Sequence, residues 1–254
     1  MKFSMANAKI RALAQVPALQ KYLSDRRKVY SFDILSGVSC PYARDCKSSA
    51  VVQPDGSRKI VDGPHTDFRC FSASQEAIFS NLYRLRKANS EIVQIAAEPG
   101  GIDKAREILE CLLPDNAGIV RLHVGGDFQT QAYFDAWLGL ARSMESVLFY
   151  AYTKSLPFWV KRLGSIPDNF ILTASRGGFK DKLIEEYNLR SVKVVESESE
   201  AATLGLPIDH TDEFAANPEQ KYTDFALLIH GIQPANSKWG KAVKALKGNG
   251  SYSR

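Results

Sequence analysis

An α/β fold built on a parallel sheet, open or closed as a barrel, is predicted by three features of this sequence. From residue 120 onward, strand-length apolar runs alternate with helix-length amphipathic segments. The connections between them are short, and each run ends in glycine or a polar residue. Strand-helix alternation of this kind means parallel strands joined by right-handed crossovers, and such sheets place their sites at the C-terminal ends of the strands. With 44% hydrophobic and 24% charged residues in a chain of 254, the composition is that of a folded protein, which excludes disordered and collagen-like classes.

The elements follow in order. Residues 5–24 carry Ile10, Leu13, Ala14, Leu19 and Leu23 at helical spacing, with Pro17 interrupting them. A first strand over 29–35 is closed by Ser36-Gly37. Residues 38–66 read as irregular, with Pro54-Asp55-Gly56 as the plainest turn. A stretch this long without structure is unusual unless something orders it. From Ser72 the pattern is helical through Ile78, Leu82 and Leu85, and a second helix spans 101–113, ending before Pro114. Strands then fall at 120–124, 147–152, 170–174, 192–195 and 225–229, with helices at 131–144, 156–163 and 180–187. This divides the chain into an N-terminal basic helical segment (1–28), a β/α core (29–236) with a cysteine loop (38–70), and a basic C-terminal tail (237–254).

The strand ends supply a polar set: Gly125-Gly126-Asp127, Thr153-Lys154-Ser155, Ser175-Arg176, Glu196-Ser197 and His230. By two-residue alternation, Arg121 and His123 share a face of their strand. Tyr150 and Tyr152 are of a kind that stacks nucleobases or packs cores.

Four cysteines in a chain without a continuous apolar leader or a 20-residue apolar span argue for a reducing, cytoplasmic setting with no membrane contact and no disulfides. Cys111 lies in an apolar helical stretch and is expected in the core. Cys40, Cys46 and Cys70 fall in or border the irregular loop, with five residues between the first pair and twenty-three before the third. Soft thiolates gathered in a segment too polar to order itself point to a metal centre whose binding energy organises the backbone. A [4Fe-4S] cluster with one open iron fits three cysteines. With His65 as a fourth ligand, a structural Cys3His zinc site fits as well.

The order strand, cysteine loop, helix, strand, Gly-Gly-acid resembles the radical S-adenosylmethionine enzymes. That resemblance implies a partial or complete TIM-like barrel, a cluster on Cys40, Cys46 and Cys70, and Gly125, Gly126 and Asp127 orienting the ammonium of S-adenosylmethionine. Glycines admit close backbone approach and the carboxylate offers an anionic partner. Lys154, Ser175 and Arg176, at the next strand ends, are then candidates for the cofactor carboxylate or an anionic substrate. Reductive cleavage of the cofactor implies an electron donor. The spacing departs from C-x3-C-x2-C, and Gly-Gly-Asp-Phe replaces Gly-Gly-Glu-Pro. The stretch from Arg121 to Leu156, with Gly126-Asp127-Phe128 and Phe149-Tyr150-Ala151-Tyr152-Thr153-Lys154-Ser155-Leu156, is similar to a phage-encoded family called gene product 88, which implies a phage or prophage origin and the host cytoplasm as location.

The competing expectation is a zinc-stabilised, non-enzymatic protein that binds nucleic acid or an acidic host partner through its basic ends. Lys2, Lys9, Arg11, Lys21, Arg26, Arg27 and Lys28 crowd the N-terminal segment, and Lys238, Lys241, Lys244, Lys247 and Arg254 the tail. His210 between Asp209 and Asp212 offers a weaker acid-base or hard-metal cluster. There is no P-loop, Gly-x-Ser-x-Gly elbow or H-E-x-x-H, which speaks against nucleotide hydrolases and proteases.

Overall fold

The computed structural model describes residues 1–246, so Lys247 and Arg254 of the predicted tail lie outside the described residues. Strand β1 (Ser4–Met5) opens the chain, followed by α1 (Ala8–Arg11), short 3-10 turns and α2 (Gln20–Leu23). The helix predicted over 5–24 is therefore broken. Val16, extended at φ −83° and ψ 116°, sits before Pro17, where a helical conformation is disfavoured. Strand β2 (Lys28–Phe32) is followed by the hairpin β3 (Ser48–Val52) and β4 (Arg58–Asp62), then by α3 (Phe71–Ile78), α4 (Ser80–Asn89), α5 (Glu91–Ala97) and α6 (Gly101–Leu112). The core continues with β5 (Ala117–Leu122), α7 (Gln131–Ser143), β6 (Leu148–Thr153), α8 (Leu156–Val160), β7 (Phe170–Ser175), α9 (Lys182–Glu186), β8 (Ser191–Val195), α10 (Glu198–Thr203), α11 (Glu213–Ala216), β9 (Phe225–Leu228) and α12 (Lys238–Ala245).

Among the described residues, seven strands form one sheet in the order β1-β2-β5-β6-β7-β8-β9. Only the β1–β2 pair is antiparallel; the other pairs are parallel. The fold is thus α/β with a mostly parallel sheet, and among the described residues no pairing of β9 with β2 closes it into a barrel. After β2, each parallel strand adds beside the one before it in sequence. With crossovers of one hand, that order puts the connecting helices on one face.

Alternate residues accordingly enter two different cores. Val120, Leu122, Phe149, Ala151, Phe170 and Leu172 pack against α5 to α9, around Trp137, Tyr133 and Ile184. Ile119, Leu148, Tyr150, Ile171, Val192 and Phe225 point the other way, where Ile10, Leu13 and Leu19 of the N-terminal segment and Ala215-Ala216 of α11 cover them. The basic first segment is therefore half apolar cover for the sheet.

Two expectations fail in the cysteine segment and at Cys111. Residues 38–66 are not structureless: β3 and β4 pair in register around the predicted Pro54-Asp55-Gly56 turn. The hairpin was masked because its strands are short and largely solvent-facing, so neither shows an apolar run. Cys111 is exposed, since α6 buries Ala105 and Leu109 instead. Among the described residues no helix is long and apolar enough to cross a membrane.

Candidate functional site

A cavity of about 690 Å³ opens at the C-terminal ends of the strands, within the size range of small-ligand sites. Cys40, Cys46 and Cys70 all line it, together with Gly126, Asp127, Lys154 and Ser175. The thiols sit close enough to feel one another. Burial, then Asp127, Cys70 and Cys46, hold the Cys40 thiol well above its ordinary range. Burial and Cys46 push Cys70 up to about 11, against hydrogen bonds from the Ala73 and Ser72 backbone at the start of α3. Such thiols stay protonated until a cation draws off their protons.

The loop that carries them is anchored by protein contacts. The Arg44 and Asp45 N–H groups donate to Gly177 O at 3.2 and 2.9 Å, and Phe179 N–H donates to Tyr42 O at 2.9 Å. At its start, the Ser36 hydroxyl donates to Glu76 at 2.8 Å, and Glu76 is paired with Arg86 at 2.9 Å in full burial. Cys70 immediately precedes α3, so that helix fixes the third thiol. These contacts contribute to ordering a segment whose sequence alone suggested a metal centre as the organiser.

The strand-end residues take more structural roles than expected. Asp127, buried, accepts from Thr153 Oγ1 at 2.6 Å, from the Phe128 N–H at 2.7 Å and from the Lys154 N–H at 2.8 Å. Burial raises its pKa, and those three bonds oppose the shift. A carboxylate has about four lone-pair sites, so one is left for a ligand. Lys154 Nζ donates to Ser175 O, Ser175 Oγ and Arg176 O at 2.9, 2.7 and 2.6 Å. All three ammonium protons are used, which makes it a strap between β6 and β7 rather than a free anion receptor. Gly126 has φ 91°, and a Cβ there would meet Ile34 Cγ1 at 2.4 Å; glycine is required. Gly125 does not line the cavity. A Cβ on it would meet Ser72 Oγ and the Arg86 guanidinium at 2.5 and 2.6 Å, so its missing side chain admits the buried ion pair, not a cofactor.

Arg176 is also displaced from its predicted place. It pairs with Glu185 at 2.7 Å and with Ser191 Oγ, and lines a separate polar cavity of about 630 Å³ with Arg44 and Lys193. His65 lies edge-on against Phe179 and is not among the cavity-lining residues. His123 does line the cavity, but its left-handed backbone (φ 62°) ends the strand alternation and turns the ring onto Phe128 and Tyr133. Its Nε2 is 3.0 Å from Tyr133 Oη, and burial alone depresses its pKa to about 3. Lys238 in the tail is paired with Asp67 at 3.4 Å, and Trp239 packs on Phe68, so α12 is docked on the core.

Sequence reasoning missed Asp33, Glu76 and Arg86, and grouped Asp212 with His210 and Asp209 rather than with its partners Arg121 and Tyr150. Asp33 accepts from the Val124 N–H at 2.7 Å and so shapes the turn after β5. Asp212 takes Arg121 and Tyr150 from the far side of the sheet. A period-two reading does place Arg121, Tyr150 and Tyr152 on one face through the β5–β6 register, but it cannot supply the acid that meets them from residue 212.

A family model described as Gene product 88 matches residues 1–244. The chain belongs to the gene product 88 family. The match runs through the N-terminal segment, the cysteine loop and most of α12, so in this family the cavity and its surroundings lie inside the matched region. No curated protein and no solved structure gives a significant match.

Proposed function

We propose that this gene product 88 protein binds a [4Fe-4S] cluster through Cys40, Cys46 and Cys70 and, with S-adenosylmethionine, carries out a radical reaction on a small substrate. The observation that carries the reading is the gathering of three thiols, widely spaced in sequence, around one cavity at the C-terminal ends of sequentially ordered parallel strands. The donor set is all thiol, which suits iron-sulfur ligation. Among the described residues no group of three His, Cys, Asp or Glu side chains is already arranged to hold a metal ion, so the three thiols would have to draw together on binding, and His65 is not among the cavity-lining residues. The all-thiol lining favours a cluster over the Cys3His zinc alternative.

Held by Cys40, Cys46 and Cys70, such a cluster would relay one electron from an external electron donor for reductive cleavage of S-adenosylmethionine, chemistry that belongs to the cofactor. The protein's own residues position and shield. Gly126 is required because Ile34 and Ser39 occupy the place of a side chain, and its backbone lines the cavity where a cofactor would lie. The remaining lone pair of Asp127 is the available acceptor for an ammonium. Lys154 holds the β6 and β7 mouths at a fixed separation, and Ser175 presents its hydroxyl beside it. Protein purified without oxygen is expected to be brown and to contain iron and acid-labile sulfide in fixed ratio. Zinc alone, or no metal after anaerobic reconstitution, rejects the reading.

A further inference from the structure

The cavity has a second wall, opposite in character to the thiols. Arg121 on β5, Tyr152 on β6 and Asp212 line it. Arg121 NH1 is paired with Asp212, and the same carboxylate accepts from Tyr150 Oη at 3.0 Å. The guanidinium carbon lies 5.1 Å from the centre of the Tyr152 ring. Two polar atoms of this wall, Arg121 Nε and Tyr152 Oη, are buried without a hydrogen-bond partner. Buried polar groups are nearly always satisfied, so orphans in a cavity wall call for a ligand or ordered water.

We infer that Arg121 and Tyr152 form a subsite for a neutral carbonyl group, of the amide or nucleobase kind, on the substrate of the proposed reaction. Both orphans act as donors: the guanidinium N–H has no acceptor capacity, and burial beside Asp212 keeps the Tyr152 hydroxyl protonated. With the guanidinium over the Tyr152 ring, the subsite requires that the two donors converge on one point, where a carbonyl oxygen with two lone pairs takes both. Asp212 already neutralises Arg121, so a full negative charge would be left uncompensated and a neutral acceptor is preferred. Ile10 and Leu227 line the same cavity, leaving apolar surface for the body of such a molecule. The inference rests on the reading above only for the chemistry done on the ligand. The subsite itself needs no cluster.

The test uses the full chain, metal-free, labelled with 15N, following the Arg121 Nε–H resonance during titration with uracil, N-methylacetamide and acetate. A saturable shift with uracil or N-methylacetamide, and a weaker response to acetate, is expected, the two neutral probes separating nucleobase from amide. Tyr152→Phe should weaken that binding about tenfold, the effect of one hydrogen bond. It should leave thermal stability unchanged or higher, because the hydroxyl it removes has no partner. No saturable shift with either neutral probe, preference for acetate, or unaltered binding by Tyr152→Phe overturns the inference. Carbonyl binding by protein that never assembles a cluster would leave the subsite standing and remove the proposed function.

Discussion

Asp127 and Lys154 are joined across the mouths of β5 and β6, the carboxylate Oδ2 accepting the Lys154 backbone N–H at 2.8 Å. The other oxygen holds Thr153 Oγ1 and the Phe128 N–H, so a residue that sequence marks as a ligand contact is first a clamp. Asp127→Ala strands three donors in a buried place, each costing about 1–3 kcal/mol. A fall of roughly 10 °C in melting temperature is expected for a chain of this size, and a smaller fall for Asp127→Asn, which keeps an acceptor. Melts indistinguishable from the native protein would refute the clamp.

The thiols sort by position. Cys40→Ala, Cys46→Ala and Cys70→Ala are each expected to abolish iron incorporation, whereas Cys111→Ala, on the exposed face of α6, should incorporate iron normally. Iron retained at native levels in any of the first three variants would exclude that thiol as a ligand.

Glu76 and Arg86 form a fully buried ion pair that also receives the Ser36 backbone and hydroxyl at the root of the cysteine loop. Removing one partner leaves an uncompensated buried charge, which costs about 3–5 kcal/mol. Arg86→Met should therefore lower denaturant stability by that order, and Glu76→Leu with Arg86→Met should lose clearly less than the two single changes added together. Additive losses would show that the pair is not coupled.

Acid should weaken the fold through His123. Its folded pKa of about 3 lies below the ordinary 6.5, with burial as the cause. The unfolded chain then takes up a proton that the folded chain refuses. Its contribution to stability is undiminished above pH 6.5, declines as pH falls below that value, and stops declining near pH 3. The slope is about 1.4 kcal/mol per pH unit for one proton. Denaturant titrations at several pH values should show this decline, and His123→Gln should reduce it by about that slope. Parallel pH profiles would contradict the burial of a neutral imidazole.

Much of the core was legible. The strands at 147–152, 170–174, 192–195 and 225–229 lie within a residue or so of β6, β7, β8 and β9, because buried parallel strands are continuous apolar runs. That Cys40, Cys46, Cys70 and Gly126 lie together near the strand mouths was legible as well, because the cysteine segment and the Gly-Gly pair each follow a strand end. The hairpin β3–β4 was not, having little apolar face to reveal it. Cys111 misled for the opposite reason: its helix is amphipathic, and local apolar content does not say which side faces the sheet.

From the residues alone follow the alternation of strands and helices, the polar character of the strand ends, and the family to which the chain belongs. Only the tertiary structure decided which polar side chains are free to act. Lys154, Arg176 and most of Asp127 are spent on neighbours, whereas Arg121 and Tyr152 keep unsatisfied donors in the cavity wall. The reason is physical. A hydrogen bond is made to whatever the fold brings within about 3 Å, and for these residues the partners come from distant elements that periodicity and spacing do not reveal.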